Sequence, residues 1–218
     1  MTEWLHLGFM QNALAAGILL SIVLAVVSCF VVLRRFSFIG VGVAHSAFGG
    51  VALGALIGVS PTFSAIVFAV CVANAIGIVG NQQRLSADTA IGIFFSLAMA
   101  LGVIFIGLSD TYNVDLFGYL FGNILAITRQ DILVIAILGS LVLASIWLFF
   151  KELLFVAFDS EVARVSGIPV MFLDHFFLTI LALTVVISMK VFGTPMLLIM
   201  MSWWSIATVI SQSCMRSS

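Results

Sequence analysis

Asn12-Ala-Leu-Ala-Ala-Gly-Ile-Leu-Leu-Ser-Ile-Val-Leu-Ala-Val-Val-Ser-Cys-Phe-Val-Val-Leu33 runs for 22 residues without a charge and stops at Arg34-Arg35. An α-helix rises about 1.5 Å per residue, so about 20 apolar residues cross the hydrocarbon core of a bilayer. The stretch is apolar on every face and lacks the polar side that a surface helix of a soluble fold keeps. Similar stretches follow at 38–59, 62–80, 88–108, 132–150 and 172–189, with a seventh at 191–210. They are separated by Ser60-Pro61, by Asn81-Gln82-Gln83-Arg84 and by two longer connections. The first connection contains a short apolar segment, 116–127, between Asp115 and Thr128. Its length suits a re-entrant or interfacial segment. The second, 151–169, holds five of the seventeen charged residues. The expected fold class is therefore all-α: a polytopic transmembrane bundle of about seven membrane segments, one re-entrant or interfacial segment and a short cytoplasmic helix. No internal repeat divides it, so residues 1–218 read as a single domain.

Composition points the same way. Of 218 residues, 63% are hydrophobic and 8% charged, against about 25% charged in soluble globular proteins. In lipid the backbone must hydrogen-bond internally, and helices do so. The net charge of -1 provides no field for nucleic acid. Cys29, Cys71 and Cys214 have no close metal-type spacing and make no disulfide framework. The N-terminus carries no basic n-region, and its apolar stretch is too long for a signal h-region, so a retained helix is expected there. Orientation follows from the basic residues. With the N-terminus outside, six of the eight (Arg34, Arg35, Arg84, Lys151, Arg164 and Arg216) face the cytoplasm, and Arg129 and Lys190 face out.

Few polar residues interrupt the spans. His45 lies within the second, and an ionisable residue in a span is a functional candidate by default. Imidazole ligates divalent metals, but it also hydrogen-bonds neighbouring helices. Residue type leaves both readings open, with the ring expected to face the bundle interior and any metal contact to be weak. Ser46 is expected to bond its own helix carbonyl. Gly50, Gly54 and Gly58 recur at spacing four and predict a helix-packing stripe. Asn74 predicts an interhelical hydrogen bond, and Asp88 a helix N-cap. Asp115, Tyr119 and Asn123 would share a helical face and line a vestibule or face water. Asp174 and His175 are explained by an interfacial position, and Met196, Met200 and Met201 by packing or lipid. In the cytoplasmic connection, Asp159 or Ser160 caps a short helix that Gly167 ends before Pro169. Glu161, Ala163 and Gly167 have the spacing of a docking element, and an ordinary structured loop is the alternative.

Six motifs carry a resemblance. They are Arg34-Arg-Phe-Ser-Phe-Ile-Gly40, Ala44-His-Ser-Ala-Phe-Gly-Gly-Val-Ala-Leu-Gly54 and Asp88-Thr-Ala-Ile-Gly92, then Asp115-Leu-Phe-Gly-Tyr-Leu-Phe-Gly-Asn-Ile-Leu-Ala126, Phe158-Asp-Ser-Glu-Val-Ala-Arg-Val-Ser-Gly-Ile-Pro169 and Met189-Lys-Val-Phe-Gly193. In order and spacing the chain resembles the permease subunit of zinc and manganese ABC importers (the ABC-3 family), most closely the zinc-uptake permeases, over residues 12–193. The resemblance implies a multi-pass protein of a prokaryotic inner membrane that forms a homodimer and carries zinc or manganese as transported ion. It implies a separate ATPase subunit docking around Glu161, Ala163 and Gly167, and a metal-binding extracytoplasmic protein that delivers the ion. The permease would bind no cofactor and hydrolyse nothing. Many members have an acidic residue four positions before the histidine, where this chain has Val41. After Gly193 the motifs stop, and residues 194–218 are expected to depart from the family helix and to leave the pathway incomplete. Permeases for siderophores or cobalamin share the broad architecture. An intramembrane hydrolase would pair His45 with a serine and an oxyanion donor. A secondary transporter would show inverted repeats.

The orientation is testable. Cysteines introduced as Gln83→Cys and Ser160→Cys should resist an impermeant thiol reagent applied to intact cells. Labelling of both from outside would reverse the topology.

Overall fold

The computed structural model describes residues 8–34, 36, 38–80, 86–108, 128–189 and 191. The expected segment beyond Val191 and the stretch 116–127, with Asp115, Tyr119, Asn123 and the three methionines of the tail, lie outside the described residues. The described residues form eight helices: α1 Gly8–Leu33, α2 Ile39–Ile57, α3 Pro61–Gly80, α4 Ala87–Leu108, α5 Arg129–Leu148, α6 Phe150–Phe158, α7 Ser160–Val165 and α8 Val170–Met189. Among the described residues there is no strand, and six helices (α1 to α5 and α8) are long and apolar enough to cross a membrane. Large apolar side chains such as Ile18, Phe63, Leu133 and Ile137 point outward, where lipid replaces the water of a soluble surface.

Local chemistry sets the boundaries. At α5 the Thr128 hydroxyl accepts from the Asp131 amide at 3.2 Å, and the Asp131 carboxylate accepts from the Thr128 amide at 3.1 Å. This reciprocal box satisfies two amides that a helix start leaves unpaired. α2 ends at Gly58, which adopts φ +76° and lets the Val59 amide reach the Gly54 carbonyl at 3.0 Å. Pro61 opens α3, a position where its missing N–H has no helical partner to lose. At α4 the cap is Ser86, whose hydroxyl accepts from the Thr89 amide at 3.2 Å. That corrects the expectation for Asp88, which stands inside the first turn and is left without a capping role.

α2 is the most enclosed span, packed between α3 and α4. A Cβ at Gly50 would come within 2.9 Å of Phe68, Ala65 and Ser64, and one at Gly54 within 2.8 Å of Ser64. Both glycines thus let α2 and α3 approach backbone to backbone. Gly58 does not share this role. It is exposed, a Cβ there would meet nothing within 4 Å, and its function is the left-handed stop. On the other side Gly42 lies against Ile91 and Gly49 against the Ala98 carbonyl. Residue numbers rise together across this contact, so α2 and α4 run parallel and begin at the same end of the bundle.

The same end gathers the end of α1 and the starts of α6 and α8. Phe30 meets Phe150 edge-on with ring centroids 5.8 Å apart, and Arg34 binds Asp174. Asn74 of α3 donates to Thr179 of α8 at 3.1 Å, a bond between spans worth on the order of 1 kcal/mol. α6 is a helix within the connection for which the sequence reading expected only one. It lies along the bundle through buried Leu153 and Val156.

The glycine contacts make a comparative prediction. Gly50→Ala should lower the thermal midpoint of the purified protein by several degrees, since the added carbon meets α3 backbone. Gly92→Ala has open space around it and should be neutral or stabilising by up to about 1 kcal/mol through helix propensity. Equal effects in a detergent melting series would refute the close packing of α2 on α3.

Candidate functional site

His45 is the seventh residue of α2, so it sits about 9 Å along the helix from its start. Mid-span falls at Phe48, three residues further on, so the imidazole lies near the middle of α2 on its Arg34 side. Between Ile39 and Phe48 every residue of α2 is buried except Val41 and His45. These two share a face one turn apart, and that face is the one open to the cleft beside α4. The imidazole is therefore half-buried at a groove, whereas the sequence reading placed it in the bundle interior. Its Nδ1 lies 2.9 Å from the Val41 carbonyl, and the Phe95 ring stands edge-on to it at 5.1 Å. Nδ1 acts as the donor when it carries the proton, which leaves the Nε2 lone pair for a metal.

Below His45 the cleft opens into a cavity of about 180 Å³ lined by Phe38, Val41, Gly42, Asp88, Ile91 and Phe95. Among the described residues Asp88 is its one charged lining group. The parallel register places Asp88 level with the start of α2 and Phe95, two turns further along α4, level with His45 and Ser46. One imidazole and one separate carboxylate do not make a closed metal centre, and no group of three His, Cys, Asp or Glu occurs among the described residues. The cleft offers single, exchangeable contacts, which suit passage rather than retention. Ser46 is buried, and its hydroxyl donates to the Val43 carbonyl at 2.7 Å. Among the described residues no serine hydroxyl is bonded to His45, so no serine–histidine pair of a hydrolase is assembled from them.

The connection between α5 and α8 is a second site. The Asp159 carboxylate accepts from the amides of Glu161 and Val162 at 3.0 and 2.9 Å. At the other end Gly167, at φ +82°, lets its own amide reach the Arg164 carbonyl and the Ile168 amide reach the Ala163 carbonyl. This double bond pattern is a Schellman stop. Ala163 is fully buried against the chain's own core. Ala163 is thus an anchor and Gly167 a turn, which corrects their expected place on a docking face. The outward face is Glu161, Val162, Arg164 and Val165, with Val165 89% exposed.

The third feature escaped the sequence reading. The Arg34 side chain is 5% exposed and paired with Asp174, 140 residues away. The guanidinium carbon stands 5.0 Å from the Phe177 ring centroid. Burial pulls the guanidinium pKa down and the Asp174 carboxylate opposes it, and an arginine keeps its proton at physiological pH. Asp174 is therefore half of a buried pair, not merely an interfacial residue. Pairing over such a separation leaves no local sequence signal.

The sequence profile of the ABC 3 transport family matches residues 6–216. The chain belongs to the ABC 3 transport family. The match runs beyond Gly193, where the quoted motifs stop, and takes in most of residues 194–218. The chain is 37% identical over 200 residues to the manganese transport system membrane protein MntC of Halalkalibacterium halodurans, covering 91% of this chain and 68% of that protein. It is 36% identical over 181 residues to the high-affinity zinc uptake system membrane protein ZnuB of Haemophilus influenzae, covering 83% and 69%. Its structure resembles PsaBC from Streptococcus pneumoniae, solved in complex with Fab, with a TM-score of 0.75 at 38% identity over 90% of this chain and 70% of that one. Six membrane-crossing helices and this family make the chain a multi-pass membrane protein.

Val41 and His45 share a face, so Val41→Asp should set a carboxylate one turn from the imidazole. Titration of the purified variant with manganese and zinc should show binding about tenfold or more tighter than the parent, and His45→Ala in that background should remove the gain. Equal affinities would show that His45 does not present Nε2 to the cleft.

Proposed function

We propose that this chain is the membrane-spanning subunit of an ATP-driven importer of divalent metal ions, manganese or zinc, in a prokaryotic inner membrane. Manganese and zinc both appear in the names of similar proteins, and the α2–α4 cleft offers an imidazole and a carboxylate, ligands that serve either ion. A second copy completes the pathway by facing the open side of the cleft. An extracytoplasmic binding protein delivers the ion, and a separate ATPase supplies the energy. The ion is cargo and the permease performs no hydrolysis.

The observation that carries this reading is α7. It is a capped six-residue helix, anchored by Ala163 and stopped by Gly167, that presents Val162 and Val165 outward at the end of the bundle holding Arg34, Lys151 and Arg164. By the orientation inferred above, that end lies in the cytoplasm, where lipid does not cover those valines. An apolar pair on a rigid, short helix fits a groove on a partner protein, and the ATPase is the partner the family's chemistry requires.

Val165→Glu should weaken co-purification of the cognate ATPase about tenfold or more, by placing a charge where an apolar contact is made, while membrane insertion is unchanged. Unaltered association would refute docking at α7. For the cargo, uptake of labelled manganese, labelled zinc, a ferric siderophore and cobalamin is compared in cells expressing the chain with its ATPase and binding protein. ATP-dependent uptake of a free ion supports the proposal, and uptake of a chelate alone would assign the chain to the chelate carriers.

A further inference from the structure

We propose that the Arg34–Asp174 ion pair is a positioning link that carries movement of α7 into the cytoplasmic end of α1. The inference rests on the docking of an ATPase at α7. Three observations support it, each independent of that docking.

First, α7 and the start of α8 form one body. The Ile168 amide bonds the Ala163 carbonyl at 3.1 Å, Pro169 stiffens the join, and Ala163, Val170 and Leu173 lie in one buried cluster. Asp174 follows directly, so a displacement of α7 moves its carboxylate. Second, that carboxylate holds Arg34, which stands just past the last residue of α1. The cation sits at a helix C-terminal end and the anion near a helix N-terminal end, so both helix dipoles favour the pair. Third, the pair is made through one prong of the guanidinium fork. Nη1 binds Asp174, while buried Nε and Nη2 have no acceptor among the described residues.

The third point separates a link from a brace. A buried pair costs desolvation that its attraction barely recovers, and well-packed apolar residues generally stabilise as much or more. A static brace would use the fork of the guanidinium on two acceptors. A single bond from Nη1 fixes the register of two helix ends and yields more readily than a two-pronged one when α8 shifts. Register setting and switching are the best attested uses of a buried ion pair. The Phe177 ring, fully buried on α8, backs the guanidinium and keeps it at this junction.

The test compares the parent with the double variant Arg34→Met/Asp174→Leu, which removes both charges and keeps an apolar fill. Each is purified with its ATPase, and amide hydrogen exchange is followed in residues 28–34 and 170–176 with and without a non-hydrolysable ATP analogue. In the parent, both segments should change exchange rate on nucleotide binding by about threefold or more. In the double variant, 170–176 should still respond and 28–34 should not. A response of 28–34 in the double variant equal to the parent's, or its absence in the parent, overturns the link. Loss of ATPase association in the double variant alone also overturns it, since the pair would then be a brace for docking. Failure of the parent itself to bind the ATPase refutes docking and takes this inference with it. If the double variant does not accumulate, Asp174→Asn, which keeps an acceptor oxygen and discards the charge, takes its place. Loss of the 28–34 response in that variant, with 170–176 still responding, supports the link, and an unchanged 28–34 response overturns it.

Discussion

Water drives no association between helices in hydrocarbon, because lipid tails are as apolar as the side chains they would release. The spans of this chain come together through shape instead, and the shape that governs the bundle is the small-residue surface of α2. Gly50 and Gly54 admit α3 on one side, while Gly42 and Gly49 admit α4 on the other. Three helices are thereby drawn closer than branched side chains would allow. Between Ile39 and Phe48 the residues that escape this enclosure are Val41 and His45, and they are open because they fall between the glycine faces. The position of the candidate metal ligand is thus a by-product of packing geometry.

The second organising helix is α8. It meets α1 through Arg34, α3 through the Asn74–Thr179 bond, and α7 through the turn at Gly167. α3 in turn lies against the glycines of α2. A contiguous set of contacts therefore runs from the exposed valines of α7, through α8 and α3, to the helix that carries His45. Contiguity permits coupling without proving it, but it places the polar bonds of the bundle along that route.

Much of this was legible in the sequence. Length and apolarity located six of the spans, because a bilayer imposes a thickness that a linear window can measure. The Asp159 cap and the Gly167 stop were legible because capping depends on residues only a few positions apart. What failed was directional or distant. Ala163 was placed on the docking face, although a six-residue helix gives no periodicity from which to tell its inner side. Gly58 was assigned to packing from spacing alone, when its backbone conformation ends the helix. Asp88 was taken for a cap two residues after the serine that does the capping. The Arg34–Asp174 pair lay wholly beyond local reading, and the double arginine that marks orientation concealed a buried partner.

The parallel run of α2 and α4 has an electrostatic consequence. Both helices begin at the same mouth of the cleft, and each N-terminus carries roughly half a positive charge. α2 has no side chain capping its first turn, and α4 is capped by a neutral serine. Together the two ends present about one unit of positive potential to anything leaving by that route, which would detain an anion and turn back a cation. Asp88, on the first turn of α4 and lining the same mouth, supplies the opposite unit. Asp88 thus offsets the positive ends of the two helices it stands beside. The sign of a single side chain decides whether these two helix ends favour an anion or a cation.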